Sequence, residues 1–353
     1  MKGRRQALGF RLWALAISRD KHQSQATRRE PRAESFSSEA MKVIEFGSGA
    51  PLVLVPGIQG RWEYMRPAID TLAGFFRVLT FPLCGEPDSG CRLDASHGLD
   101  NYSNQIVSAL DTANIEQAAI CGVSFGGLVA LRFAARHPDR TGVLVLASTP
   151  APVWRLRRRH QVYARAPWLF GPIFLVESPW RLRAEIAAAL PDRRHRWTFR
   201  RGVLATLAKA PLSLARMAAR ARLIDGIDMR HDCEAVVAPT LVITGEHPLD
   251  YVVPATGSSA YARLIRNATP AVLERTGHLG SITRPDAFAA LVHEFVRRKT
   301  EPGADLQATQ AGADAEETET EADRGNGEGG RQSKRYYAEK RRNGDERRHK
   351  HVC

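Results

Sequence analysis

The sequence predicts an α/β fold: a mainly parallel central sheet flanked by helices, with a helical lid insertion. Three observations predict it. Short β-rich runs alternate with helical stretches from Met41 to about Thr300, a Gly-x-Ser-x-Gly pattern stands where one apolar run gives way to helical spacing, and an arginine- and alanine-rich block at 151–230 breaks the alternation. Alternation of this kind builds parallel strands covered by helices on both faces.

In chain order, strands are expected at 42–46, 52–55, 78–81, 118–121, 143–147, 240–244 and 271–274. Each is a short run rich in β-branched or apolar residues between turn signals. Helices are expected at 63–74, 102–113, 127–136, 257–266 and 285–298, several of them opening on a proline or a polar cap. The block at 151–230 carries Trp154, Trp168, Trp180 and Trp197, with Phe170 and Phe174, in Pro-broken helical segments. Inserted after the strand at 143–147, it is placed over the carboxyl ends of the strands, where open α/β sheets bind ligands.

The chain divides into an N-terminal extension (1–40), a core in two parts (41–150 and 231–300), the basic insertion (151–230) and a charged tail (301–353). The extension begins with Lys2, Arg4 and Arg5 before an apolar run that Arg11 breaks, and continues polar, as expected of a disordered arm. The tail is acidic to residue 330 and basic from Arg331 to Lys350, with too little apolar surface to form a core. Its basic end is a candidate contact for nucleic acid or an anionic surface, and pairing of the tail's two oppositely charged halves accounts for it equally well.

Hydrophobic residues make up 43% and charged residues 25% of the chain, enough for a core that folds without metals or disulfides. The five cysteines are odd in number and stand at no zinc-like spacing, so a reducing, cytoplasmic setting is expected. No window approaches the roughly 20 apolar residues that span a bilayer. The formal net charge is +13, with arginines such as Arg155, Arg157, Arg193 and Arg201 concentrated in the insertion. Such a surface attracts anionic substrates, acidic partners or membranes, although arginine is also an ordinary residue on solvated helix faces.

Gly122-Val123-Ser124-Phe125-Gly126 carries the chemistry. It follows the apolar run at 117–121 and precedes Leu128, Leu131 and Ala135 at helical spacing, the strand, sharp turn and helix that a nucleophile elbow needs. A serine hydroxyl is a poor nucleophile until a base stands beside it and amides face the developing oxyanion. Downstream, His278 follows a strand-like run and the turn residue Gly277, which suits it as the base. His247 is its rival, while His160, His195 and His231 lie in or beside the basic insertion. Asp250 is the expected acid, on the loop after the strand at 240–244, with Glu246 on the same loop as the alternative. The oxyanion amides are assigned to Phe125 and Ile58, with Gln59 as a second choice for the latter.

Over residues 42–298 this ordered set resembles the α/β-hydrolase fold superfamily. The resemblance implies a triad of Ser124, Asp250 and His278. Two departures accompany it: Pro56-Gly57 stands where many members have His-Gly, and the acid turn is longer than the usual Gly-x-x-Asp, which keeps Glu246 in view. The implied reaction is acyl transfer from an ester-type small molecule through an acyl-enzyme, with no cofactor and no metal. Acyltransferase, thioesterase, lactonase and carbon–carbon hydrolase chemistry use the same residues, and a hydrolase-like binding protein is the non-enzymatic alternative. Short or medium acyl chains are expected as substrates, because the sequence offers no secretion signal or evident interfacial helix.

Overall fold

The computed structural model describes residues 41–300, and the readings made for 1–40 and 301–353 lie outside the described residues. The first half of the core runs β1 (Ile44–Phe46), β2 (Ala50–Val55), α1 (Arg66–Leu72), β3 (Phe76–Thr80), α2 (Asp100–Thr112), β4 (Ala118–Val123), α3 (Phe125–Arg136) and β5 (Thr141–Ala147). Then come β6 (Val153–Trp154), five helices, namely α4 (Arg158–Arg165), α5 (Pro167–Arg181), α6 (Arg183–Ala189), α7 (Arg193–Lys209) and α8 (Leu214–Leu223), and β7 (Ile227–Asp228). The chain closes with α9 (Arg230–Ala235), β8 (Thr240–Gly245), α10 (Ala255–Ser258), α11 (Tyr261–Leu264), β9 (Ala268–Leu273), α12 (Gly280–Thr283) and α13 (Pro285–Thr300).

Seven strands form one sheet in the order β1-β3-β2-β4-β5-β8-β9, with only β1 antiparallel to its neighbour. The central strands read as unbroken apolar runs because both faces are covered, as Leu52 to Val55 and Ala118 to Val123 show. Alternate side chains serve different layers. Val53, Val55, Ile120 and Leu144 pack under α2, α3 and α9, while Leu52, Leu54, Cys121 and Val145 pack against α1 and α13. The helix α13 opens on Pro285 with Asp286 in its first turn and ends in Arg297, Arg298 and Lys299, charges that complement its dipole. Its Phe288, fully buried, contributes about 3–5 kcal/mol by comparison with truncation to alanine.

All seven expected strands are present, with ends shifted by a few residues. The expected helix at 63–74 divides into a 3-10 turn at Trp62–Met65 followed by α1, and the one at 257–266 divides into α10 and α11. Between β5 and β8 the helices α4 to α8 hang from a two-stranded antiparallel stem, in which Val153 pairs with Asp228 and Trp154 with Ile227. A backbone bond from Met229 N–H to Pro152 O closes its base.

The cysteine reading missed one pairing: Cys84 and Cys91 form a disulfide across the loop after β3. A seven-residue separation with no zinc-like partner gave no pairing signal, and the loop's fold brings the two Cα atoms to 4.9 Å. Cys121 and Cys233 are buried free thiols, each pushed up to about 12 mainly by burial. Among the described residues no helix is long and apolar enough to cross a membrane, and no cluster of His, Cys, Asp and Glu is arranged to hold a metal ion.

Candidate active site

Ser124 sits between β4 and α3 with φ 56° and ψ −120°, a conformation that costs a non-glycine residue about 1–3 kcal/mol. Bonds on either side hold it there. Its N–H donates to Ala147 O at 2.8 Å, and its carbonyl accepts from Gly127 N–H at 2.9 Å. A Cβ on Gly122 would collide with the Gly126 carbonyl, and one on Gly126 with the Val55 carbonyl, so both glycines are needed for strand and helix to approach this closely.

His278 lies on the loop between β9 and α12, with Nε2 3.0 Å from Ser124 Oγ. Its Nδ1 faces Asp250 Oδ2 at 3.6 Å, on the loop after β8. Asp250 is buried, and its other oxygen accepts from the Val252 and Val253 amides at 3.0 and 2.8 Å, which turns Oδ2 towards the ring. The two loops meet backbone to backbone. A Cβ on Gly277 would meet Leu249 O and Asp250 N, and one on Gly245 would meet Gly277, so a side chain at either position would push the imidazole and the carboxylate apart.

Glu246 does not point at the ring. Its Oε1 accepts from Arg275 N–H at 2.7 Å and its own N–H donates to Thr276 O, so it ties the two loops together. His247 is exposed at the surface of the same turn.

Gly57, after β2, lies against Ser124, since a Cβ added there would come 3.6 Å from the Ser124 Cβ. Ile58 follows it, half-buried. Phe125 is buried, its ring edge-on to Tyr102 with centroids 5.2 Å apart. The carbonyl of Ile58 accepts from Arg220 Nη1 at 3.1 Å, which fixes the plane of the Ile58–Gln59 peptide.

Two insertion residues that sequence reasoning passed over reach these loops. Arg220, from α8, is almost wholly buried. Besides Ile58 O it bonds Cys84 O at 3.2 Å and pairs with Glu86 at 2.9 Å, joining the loop after β2 to the disulfide loop. Glu185, from α6, is fully buried, and its Oε1 accepts from the N–H of Leu279, the residue after His278. Burial pushes its carboxyl above the usual carboxylate range, opposed by that amide and by the neighbouring imidazole. Glu185 left one signal: it is the lone acid in the apolar run Ala184-Glu185-Ile186-Ala187-Ala188-Ala189-Leu190. Arg220 left none, being one arginine among many.

A hydroxyl 3.0 Å from an imidazole, with a carboxylate behind the ring, can pass its proton to nitrogen as it attacks an electrophilic carbon. A family model described as the alpha/beta hydrolase family matches residues 52–291. The chain belongs to that family. As an alpha/beta hydrolase it is 29% identical over 266 residues to the 2-hydroxymuconate semialdehyde hydrolase of Pseudomonas sp. (strain CF600), covering 71% of this chain and 88% of that one. It is 27% identical to a putative carbamate hydrolase RutD of Variovorax paradoxus (strain S110), over 72% of this chain and 94% of the relative. Among solved structures, the enol-lactonase from Burkholderia xenovorans LB400 superposes with a TM-score of 0.56 at 24% identity, covering 72% of this hydrolase and 95% of the lactonase. An esterase from Exiguobacterium antarcticum gives 0.58 at 19% identity, over 72% and 94%. At these identities the two structures show the shared fold.

Proposed function

We propose that this hydrolase cleaves an ester-type bond of a small molecule through a Ser124 acyl-enzyme. The contact of 3.0 Å between His278 Nε2 and Ser124 Oγ carries the reading. As Oγ attacks the carbonyl carbon, its proton passes to Nε2, and the imidazolium then protonates the departing alcohol oxygen. Water, deprotonated by the same nitrogen, attacks the acyl carbon, releases the acid and restores the serine. Asp250 orients the ring and stabilises its positive charge. The 3.6 Å between Nδ1 and Oδ2 exceeds a hydrogen bond, and such contacts tighten as substrate binds.

The Phe125 and Ile58 amides receive the oxyanion, each donor contributing about 3 kcal/mol to transition-state stabilisation. Helices α4 to α8 serve as the lid. Labelling by a fluorophosphonate probe tests the reading. Wild-type protein is expected to label, while Ser124→Ala and His278→Ala are expected to lose the signal with their melting temperatures unchanged. A properly folded wild-type protein that never labels would exclude it.

The likeness to a 2-hydroxymuconate semialdehyde hydrolase supports a second reading, in which the substrate is a small unsaturated carbonyl acid of that kind. A panel of nitrophenyl esters, thioesters, lactones and such acids separates the two by their kcat/KM values.

A further inference from the structure

The helix α5, Pro-Trp-Leu-Phe-Gly-Pro-Ile-Phe-Leu-Val-Glu-Ser-Pro-Trp-Arg, turns its apolar side to solvent. Trp168 is 81% exposed, Val176 78% and Trp180 67%, with Leu169 and Ile173 exposed beside them. At 3.6 residues per turn, these five positions and Pro172 fall within an arc of about 140°. Only Gly171 of this helix is buried, against Leu214 of α8.

Positive charge lies beside this surface: Arg159 pairs with Glu177 of α5, Arg181 ends the helix with Arg157 and Arg159 near it, and Arg183 follows. Between residues 155 and 209, thirteen basic residues stand against three acids. All three acids are engaged: Glu177 pairs with Arg159, Glu185 is buried at the Leu279 amide, and Asp192 caps α7. Arg183 stacks 3.8 Å above the Trp180 ring, and Arg201 4.5 Å above Trp197.

We propose that this face docks on an anionic lipid bilayer, with the α5 stripe set into the headgroup boundary and the neighbouring arginines, Arg157, Arg181 and Arg183 among them, on lipid phosphates. Apolar side chains with tryptophan on one side and arginine beside them are what an interfacial helix needs. No helix among the described residues crosses a membrane, so the contact is one of lying on the surface. The occupant follows from charge. In a two-fold dimer each basic flank would face a copy of itself, which repels, whereas anionic lipid neutralises the flank while taking up the stripe. The sequence offered no evident interfacial helix, and the exposure of this one is seen only in the structure.

Flotation of the full chain with phosphatidylcholine vesicles, with and without phosphatidylglycerol, tests the proposal. Wild-type protein is expected to float with the phosphatidylglycerol vesicles alone, with tryptophan emission shifted to the blue and binding weakened by salt. Trp168→Asp with Val176→Asp is expected to reduce binding at least about tenfold, and Arg157→Gln and Arg183→Gln about fivefold each. Unchanged melting temperature and fluorophosphonate labelling confirm that the variants are folded. Equal binding by wild type and every variant would overturn the proposal, as would equal flotation with both vesicle types. So would a wild-type dimer in light scattering that ignores vesicles and that Trp168→Asp separates.

Discussion

Glu185 is the residue whose chemistry reaches furthest beyond its place in the chain. Its carboxylate holds the Leu279 amide, one position from His278, so it acts on the ring by fixing the loop that carries it. Glu185→Ala leaves that buried N–H unpaired and is expected to cost about 1–3 kcal/mol of stability and to lower kcat more than it raises KM. Glu185→Gln keeps an acceptor and is expected to restore most of kcat. Steady-state kinetics on a soluble ester check this, and equal kcat in all three proteins would remove Glu185 from the positioning role. Burial raises the native carboxyl above its ordinary 4.5, so the folded state holds the proton more tightly than the unfolded chain does. The wild type is therefore expected to lose stability as pH rises from about that ordinary value through the native one, and to level off above it. Glu185→Gln should lack that fall, and urea midpoints measured across the range compare the two. The proposed nucleophile and base were legible because each needs a turn glycine that the sequence displays, Gly122 and Gly126 for Ser124 and Gly277 for His278. The lone acid at Glu185 was visible in its apolar run, but its partner was not legible, being a backbone amide 94 residues away.

Among elements, the loop after β2 depends on α8. Arg220 reaches the Ile58 and Cys84 carbonyls, and Glu86 pairs with both Arg220 and Arg216 at 2.9 Å. Gly60, at φ 78°, leaves the space that the guanidinium fills. Arg220→Met takes from the buried Glu86 carboxylate one of its two guanidinium partners and is expected to cost about 3 kcal/mol. Adding Glu86→Gln is expected to return part of that, and a double-mutant cycle by chemical denaturation measures the coupling. Independent, additive losses would show that the pair does not act as a unit. The disulfide closes the loop that carries Glu86. By chain entropy, a closure this short contributes about 2 kcal/mol. Cys84→Ser with Cys91→Ser is expected to lower the denaturation midpoint accordingly, and reducing agent should shift the wild type alone. The strands were easy to read because buried parallel strands need unbroken apolar runs. The helix breaks were harder, since Gly257, Ser258 and Ser259 are only weak stops until backbone bonds such as Ala260 N–H to Gly257 O pull the chain into a turn.

The whole molecule carries a formal +13, so its field favours anionic substrates. For an ester bearing a free carboxylate, kcat/KM is expected to fall about tenfold from low to high salt, while an uncharged ester of equal size stays nearly constant. Parallel salt profiles for the two esters would remove steering from the account. The sequence by itself determined the alternation of strands and helices, the strand-turn-helix around Ser124, the chain order of Ser124, Asp250 and His278, and the arginine-rich helical stretch between β5 and β8. Each of these depends on local pattern and chain order. Only the tertiary structure decided that Asp250 and not Glu246 faces the ring, that Cys84 and Cys91 join, that Glu185 and Arg220 leave the insertion to hold the loops around Ser124, and that α5 shows its apolar side to solvent. Those outcomes depend on contacts between residues far apart in the chain, which no local pattern encodes.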